Sequence, residues 1–340
     1  MAQVECLHLE EAKQPWQELS QCAVRHDVFQ SYHWARFERE INGNEPLFLL
    51  VRDGSRVLGG QLVVQRRVMG LLRGYETSGG PLYVEGCGEE VFQATLEYLD
   101  HRLGAANYRM VRPQAPHQQE QALQQRGFRK SQAYTFLLDL TPGEENLWKA
   151  LESNTRNKVR KGAKAGLEVR SALTWEDWDA FDQLQRHHHG EKGIPALPTP
   201  TLRYLFDEML PVQQCGLLLA FLEGQCLSGL VFLATGRAML TLARAADAGA
   251  LQTSPNEAVL WEAIRWGCSH GIETYDLYDT DPREDSPLYG IHRFKAKWGG
   301  ELVERSFYIK GRAYWWARER LNNDGFVRRV ANVLRHRKWA

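Results

Sequence analysis

The stretch "YGIHRFKAKWGG", residues 289–300, places a cation where an apolar side chain is expected. An α-helix advances about 100° per residue, so Leu288, Ile291, Phe294 and Trp298 fall on one face, within roughly 120° of one another. Lys295 lies inside that arc, between Leu288 and Ile291. Arg293 and Lys297 fall on the opposite face, where charge meets water. Either Lys295 snorkels, its methylenes on Trp298 and its ammonium in solvent, or its head reaches an anionic or carbonyl ligand, because a buried charge is costly unless something pairs it.

Other residues could share such chemistry. The strand "TYDLYD" delivers Tyr278, Asp279 and Asp281 to its C-terminal end, the edge where ligands sit in open α/β sheets. Asp279 there could orient a substrate amine or act as a base, or simply cap a turn. The run "NTRNKVRKGAKAG" carries Arg156, Lys158, Arg160, Lys161 and Lys164 with no acid among them. Such a run is either a solvated face or a binding strip for a polyphosphate or nucleic-acid backbone. "HHH", residues 187–189, does not read as a zinc site, since adjacent helical residues point in different directions and no matching ligand spacing follows. "GLLRGYETSGG" matches neither a P-loop nor a dinucleotide fingerprint. No Ser-His-Asp or Cys-His pattern is evident, so no cofactor, metal or covalent nucleophile is expected.

A chain of 340 residues exceeds one typical core and suggests two domains. With 42 basic and 42 acidic residues, 43% hydrophobic and 25% charged, the composition is that of a globular protein, and it argues against a generic nucleic-acid coat. Six scattered cysteines without a C-x-x-C pair, and an N-terminus lacking a signal-peptide core, point to a reducing cytoplasm. The longest apolar runs, "CGLLLAFL" and "LSGLVFLA", are too short to span a bilayer.

Residues 47–65 form two strand-like runs around a turn signal at Asp53-Gly54, and residues 217–235 do the same around Glu223-Gly224. Helices and strands then follow in the same order in both halves, which implies duplication: two α/β domains, each a mixed twisted sheet flanked by helices. The expected division is 1–140, 141–311 and a basic, Trp-containing helical tail, 312–340. That tail either packs Trp315 and Trp316 on the second domain or lies on an anionic membrane surface. A helix is expected from Pro142 to Ala165, with Thr141, Pro142 and Glu144 at its start. A second is expected to open on a capping box of Ser254, Pro255 and Glu257 and to end at Gly271.

"FQSYHW", "SGGPLYV", "NTRNKVRKGAKAGLEV", "NEAVLWEAIRWGCSHGIETYDLYD" and "GIHRFKAKWGGELVE" resemble, in order, the signature blocks of the FemABX family, the aminoacyl-tRNA-dependent transferases that build peptidoglycan cross-bridges. The likeness covers roughly residues 25–310, and BioF2-like GNAT proteins share several blocks. The resemblance implies tandem GNAT-like domains without a coiled-coil arm. It also puts Phe294 and Lys295 at the reaction centre, with Lys295 touching the donor ester or an acceptor phosphate. Arg36 and Arg244 are candidate phosphate or carboxylate partners, and Arg203 and Tyr204 stand in for an Arg and Tyr of the family's acceptor site. Tyr278 completes the substrate set. The implied partners are aminoacyl-tRNA, held on Arg156–Lys164, and a peptidoglycan precursor, lipid II or UDP-MurNAc-pentapeptide, placed between the domains. The alternatives are a CoA-dependent N-acyltransferase acting on a sugar or polysaccharide precursor, and an idle tandem domain that binds tRNA or a cell-wall nucleotide. The transferred amino acid and the oligomeric state are not specified.

Overall fold

A computed structural model describes residues 2–24, 26–68, 72–101, 103, 106–113, 116–192, 196–286 and 288–315. Most of the expected tail (316–340) and the side chains of His188 and His189 lie outside the described residues.

Strands and helices alternate in two passes. The first contains β1 (Gln3–Leu7), α1 (Leu9–Cys22), α2 (Tyr32–Glu40), β2 (Glu45–Asp53), β3 (Arg56–Val68), β4 (Leu72–Glu76), β5 (Leu82–Tyr83), α3 (Gly88–His101), β6 (Tyr108–Val111), α4 (Pro116–Gln125) and β7 (Arg129–Ser131). The second contains β8 (Tyr134–Asp139), α5 (Glu144–Ala150), α6 (Ser153–Lys164), β9 (Glu168–Ser171), α7 (Trp175–Lys192), α8 (Thr199–Tyr204), β10 (Cys215–Leu222), β11 (Gln225–Thr235) and β12 (Ala238–Ala246). It continues through α9 (Pro255–Ser269), β13 (Thr274–Asp276), α10 (Tyr289–Ala296) and β14 (Glu301–Glu304), and β15 (Phe307–Lys310) follows.

Two mixed sheets result. One runs β1-β2-β3-β4-β6-β15-β7 with β5 on β3, the other β14-β8-β13-β12-β11-β10-β9. Each has one parallel pair among the described strands, β4/β6 in the first and β12/β13 in the second. The hairpins that suggested duplication match in detail. β2/β3 turns through Gly54 (φ 58°) and β10/β11 through Glu223 (φ 51°) and Gly224 (φ 82°), the positive φ that tight hairpins favour. In each, the register slips by one residue near the turn, leaving Leu58 and Leu227 unmatched, as in a β-bulge.

The boundary expected between residues 140 and 141 is displaced. β8 lies between β13 and β14 in the second sheet, and β15 lies between β6 and β7 in the first. The compact units are therefore residues 1–132 with 305 onward, and 133–304. Alternating hydrophobicity marks "YTFLLDL" and "SFYIK" as strands, but both sheets offer an antiparallel edge beside their parallel pair. Pattern alone cannot say which edge each strand takes.

Each unit has its own core. In the first, Leu49, Val63, Phe92, Leu96, Phe128 and Tyr308 pack together. In the second, Phe136, Phe232, Val259, Ile264, Tyr275 and Trp298 do so. Each such side chain contributes about 1.5–3 kcal/mol of burial free energy. The start of the tail packs on the first unit rather than the second: Trp315 Nε1 donates to Ile309 O at 3.2 Å and Arg129 lies 4.5 Å over its ring. Among the described residues no helix is long and apolar enough to cross a membrane.

Two expected helix starts differ. The helix from Pro142 to Ala165 is two helices, because Leu151 and Glu152 both take extended ψ of 146°. Thr141 does not cap: its N–H and hydroxyl donate to Asp139 Oδ1 at 2.9 and 2.6 Å, and Gly143 (φ 79°) opens α5. The Ser254–Glu257 capping box does not form, since Ser254 adopts φ 58° without a side-chain cap and Glu257 is engaged by lysines described below. Pro255 opens α9 and Gly271 (φ 70°) follows it, as the sequence suggests.

Candidate active site

The site of the second unit begins where its parallel strands part. β12 and β13 pair over three positions only, ending at Leu240↔Asp276. β12 continues to Ala246, while Leu277 N turns to Phe136 O on β8 at 2.9 Å. A parallel pair splayed at its carboxyl end is where α/β sheets place ligands.

Asp276 fixes the departing chain. Its Oδ1 accepts from the Thr135 hydroxyl and from Tyr278 N at 2.7 Å, and Tyr278 is held at φ 63°. A non-glycine residue in this left-handed region is uncommon, and the buried carboxylate is what keeps it there. The consequence is that two successive carbonyls converge. Lys295 Nζ donates to Tyr278 O at 2.6 Å and to Asp279 O at 2.7 Å. Lys295 therefore neither snorkels into water nor sits unpaired. Burial, then the charge of Arg244, pull its amine down to about 7 against the opposing effect of Asp279.

Arg244, on β12, lies 4.0 Å over the Phe294 ring. No hydrogen bond or ion pair joins its guanidinium to another described residue, and burial lowers its pKa to about 10. Phe294 packs against the core and carries a second cation, Lys297 Nζ at 4.3 Å from the ring centroid. Lys297 donates to Glu257 at 2.7 Å, and Lys158 reaches the same oxygen at 3.4 Å. Burial pushes the Glu257 carboxyl up, but the Lys297 hydrogen bond and both lysine charges outweigh it and hold it below the ordinary carboxylate value.

The structure thus brings Lys295, Phe294, Arg244, Tyr278, Asp279 and Lys158 into one neighbourhood. Of the α10 stripe, Trp298 is buried but Leu288 is 37% exposed. Lys297, expected to face water, has a side chain only 17% exposed. Sequence reasoning missed Lys297, Glu257, Asp276 and Thr135. The i, i+3 spacing of Phe294 and Lys297 was the available signal, whereas Glu257 was disguised as a helix cap.

Other candidates have local partners. Arg36, in the first unit, pairs with Glu40 at 2.9 Å. Arg203 stacks on Trp175 at 3.8 Å beside Asp207, and Tyr204 is buried. Of the basic run, Arg156 caps the end of α5 through the carbonyls of Trp148, Lys149 and Leu151, and Arg160 lies 5.3 Å over Trp148. Lys161 and Lys164 are exposed. The strip of five open cations is in fact three, Arg160, Lys161 and Lys164, with Lys158 turned to Glu257.

The acetyltransferase (GNAT) domain family matches residues 149–295, the segment that contains Arg244, Glu257, Asp276 and Lys295. Lipid II:glycine glycyltransferase of Staphylococcus epidermidis is 34% identical over 85 residues, which span 24% of this chain and 20% of that protein. The enzyme of the same name from Staphylococcus aureus is 33% identical over the same shares. The chain thus matches about a fifth of the length of these relatives. Among solved structures, FemX superposes with a TM-score of 0.77 at 18% identity, covering 92% of this chain and 99% of FemX. The C-terminal domain of a putative lysylphosphatidylglycerol synthetase from Agrobacterium fabrum gives 0.60 at 12%, covering 90% and 93%. A tandem GNAT protein from the clavulanic acid pathway gives 0.53 at 16%, covering 91% and 98%. This chain thus shares local sequence identity with lipid II:glycine glycyltransferases, a GNAT domain match over residues 149–295 and the fold of FemX.

Proposed function

We propose that this protein is an acyltransferase that moves an aminoacyl group from aminoacyl-tRNA to the amine of a peptidoglycan precursor, lipid II or UDP-MurNAc-pentapeptide, in cross-bridge synthesis. The observation that carries the reading is the Lys295 amine, fixed on two carbonyls at 2.6 and 2.7 Å beside an arginine without an acid. An aminoacyl ester is already activated, so the protein must mainly position and stabilise charge. As the acceptor nitrogen attacks, the C–N bond forms and the ester carbonyl oxygen gains charge. The third N–H of Lys295, not used by the two carbonyls, donates to that oxygen. Collapse breaks the ester C–O bond, and the ribose hydroxyl leaves with the proton given up by the amine. Asp279, close enough to act on the Lys295 charge, orients the acceptor amine, which attacks in its neutral form with its lone pair free. Arg160, Lys161 and Lys164 meet tRNA phosphates. Such a donor implies a cytoplasmic site of action, at the membrane face if the acceptor is lipid-linked.

The match to the acetyltransferase (GNAT) domain family favours a second reading, an acyl-CoA donor with a sugar or polysaccharide acceptor. Incubation with labelled charged tRNA or with acyl-CoA, each with UDP-MurNAc-pentapeptide and lipid II, separates them. Label entering the precursor only from tRNA supports the proposal, and label entering only from acyl-CoA overturns it.

A further inference from the structure

The first unit contains a second arginine laid on a phenyl ring. Arg112, just beyond β6, lies 4.0 Å over Phe307 and is only 7% exposed. Its Nε is buried without a hydrogen-bond partner, and no described acid or carbonyl engages the rest of the guanidinium. Stacking on an aromatic face stabilises a cation, but it satisfies none of the five N–H donors. A desolvated, unpaired guanidinium is costly to hold.

Beside it runs the loop "TSGG". Thr77 Oγ1 accepts from Arg112 N at 3.0 Å, and Thr77 N donates to Met110 O at 2.9 Å. These bonds tie the loop to the strand end that carries Arg112. The next three N–H groups, of Ser78, Gly79 and Gly80, donate to no described acceptor, although Gly79 and Gly80 are buried. Buried backbone donors are rarely left unpaired. A side chain at Gly79 would collide with Asp27, whose Oδ2 lies 2.3 Å from the position a Cβ would take. Asp27 Oδ1 is itself occupied by Phe29 N at 2.9 Å.

We propose that Arg112 and the Ser78–Gly80 turn form an anion site for a phosphate or diphosphate group. Successive backbone N–H groups form concavities suited to anions, and a guanidinium fork matches phosphate oxygens bidentately. The diphosphate of a nucleotide-linked ligand and that of a lipid-linked one offer the same oxygens. The site lies in the first unit, and the inference does not depend on the transfer chemistry.

The test is equilibrium binding by calorimetry and thermal shift on the full chain, with inorganic pyrophosphate, UDP and geranyl diphosphate as probes. Wild type binds pyrophosphate and its Tm rises. Arg112→Met binds at least ten-fold more weakly yet melts no lower than wild type without ligand, because an unpaired buried charge has been removed. Tighter binding of UDP than pyrophosphate assigns a nucleotide source, and tighter binding of geranyl diphosphate a lipid source. Equal binding assigns the diphosphate alone. Should Arg112→Met fail to fold, Arg112→Lys, which keeps the charge and loses the fork, carries the test with at least a three-fold loss. The proposal is overturned if none of the three probes binds wild type, or if the folded variant binds as wild type does.

Discussion

The guanidinium of Arg244 lies 4.0 Å from the centroid of the Phe294 ring, so a cation from the carboxyl-terminal part of β12 rests on the residue next to Lys295. The ring acts as a platform: it holds the charge near Lys295 without neutralising it, as an acid would. Arg244→Lys keeps a charge but loses the planar stack, and Phe294→Leu removes the platform. Stacks of this kind contribute about 1–2 kcal/mol when desolvated, so each change should lower kcat/KM for transfer roughly 5- to 30-fold while far-UV circular dichroism stays unchanged. Wild-type kcat/KM in both variants would remove the stack from the mechanism.

Glu257 couples α9 to the cluster through Lys297 and Lys158. Its folded carboxyl lies below the unfolded value of 4.5, so its stabilisation is complete above about that pH and is lost as pH falls through the lower, folded value. Glu257→Gln should cost about 1.5–3 kcal/mol at pH 7, the scale of a charged hydrogen bond, and flatten the acid limb of a stability–pH profile. Denaturant melts between pH 3 and 7 measure both. An acid limb identical to wild type would show that the carboxylate is not coupled to folding.

Much of this arrangement was readable in the sequence, and the unreadable part has a physical pattern. The hairpins, α9 with its flanking Pro255 and Gly271, and Lys295 inside an apolar arc all follow from periodicity, which is local. The destination of β8 and β15 depends on which open sheet edge a strand meets, and alternation carries no information on that. Glu257 satisfied a local capping rule, yet a lysine 40 residues away took its carboxylate. The left-handed Tyr278 was invisible because its cause, the Asp276 carboxylate bonded to Thr135, lies across 141 residues of chain.

Lys295 gives a basic counterpart to Glu257. Folding lowers its amine from 10.5 to about 7, so the unfolded chain binds more protons between those values and stability rises with pH across that window. Lys295→Met should be more stable than wild type at pH 7, with the difference shrinking toward pH 10. Paired urea melts at pH 7, 8.5 and 10 check this, and a pH-independent difference would contradict the burial of the charge.

The exposed pair Lys161 and Lys164 should reach nucleic acid without touching the chemistry. Removing both to Ala should reduce the slope of log K against log salt for charged tRNA by about 1.5, near 0.7–0.9 per phosphate contact. Filter binding across 50–300 mM salt gives the slope. An unchanged slope would leave α6 as a solvated face.

The most direct measurement is single-turnover transfer from charged tRNA to UDP-MurNAc-pentapeptide or lipid II by Lys295→Met, with tRNA binding followed in parallel. Removing one preorganised donor to a developing oxyanion costs on the order of 10²–10³ in rate. A loss of that size is expected, with tRNA affinity and fold unchanged. A rate within two-fold of wild type would contradict it.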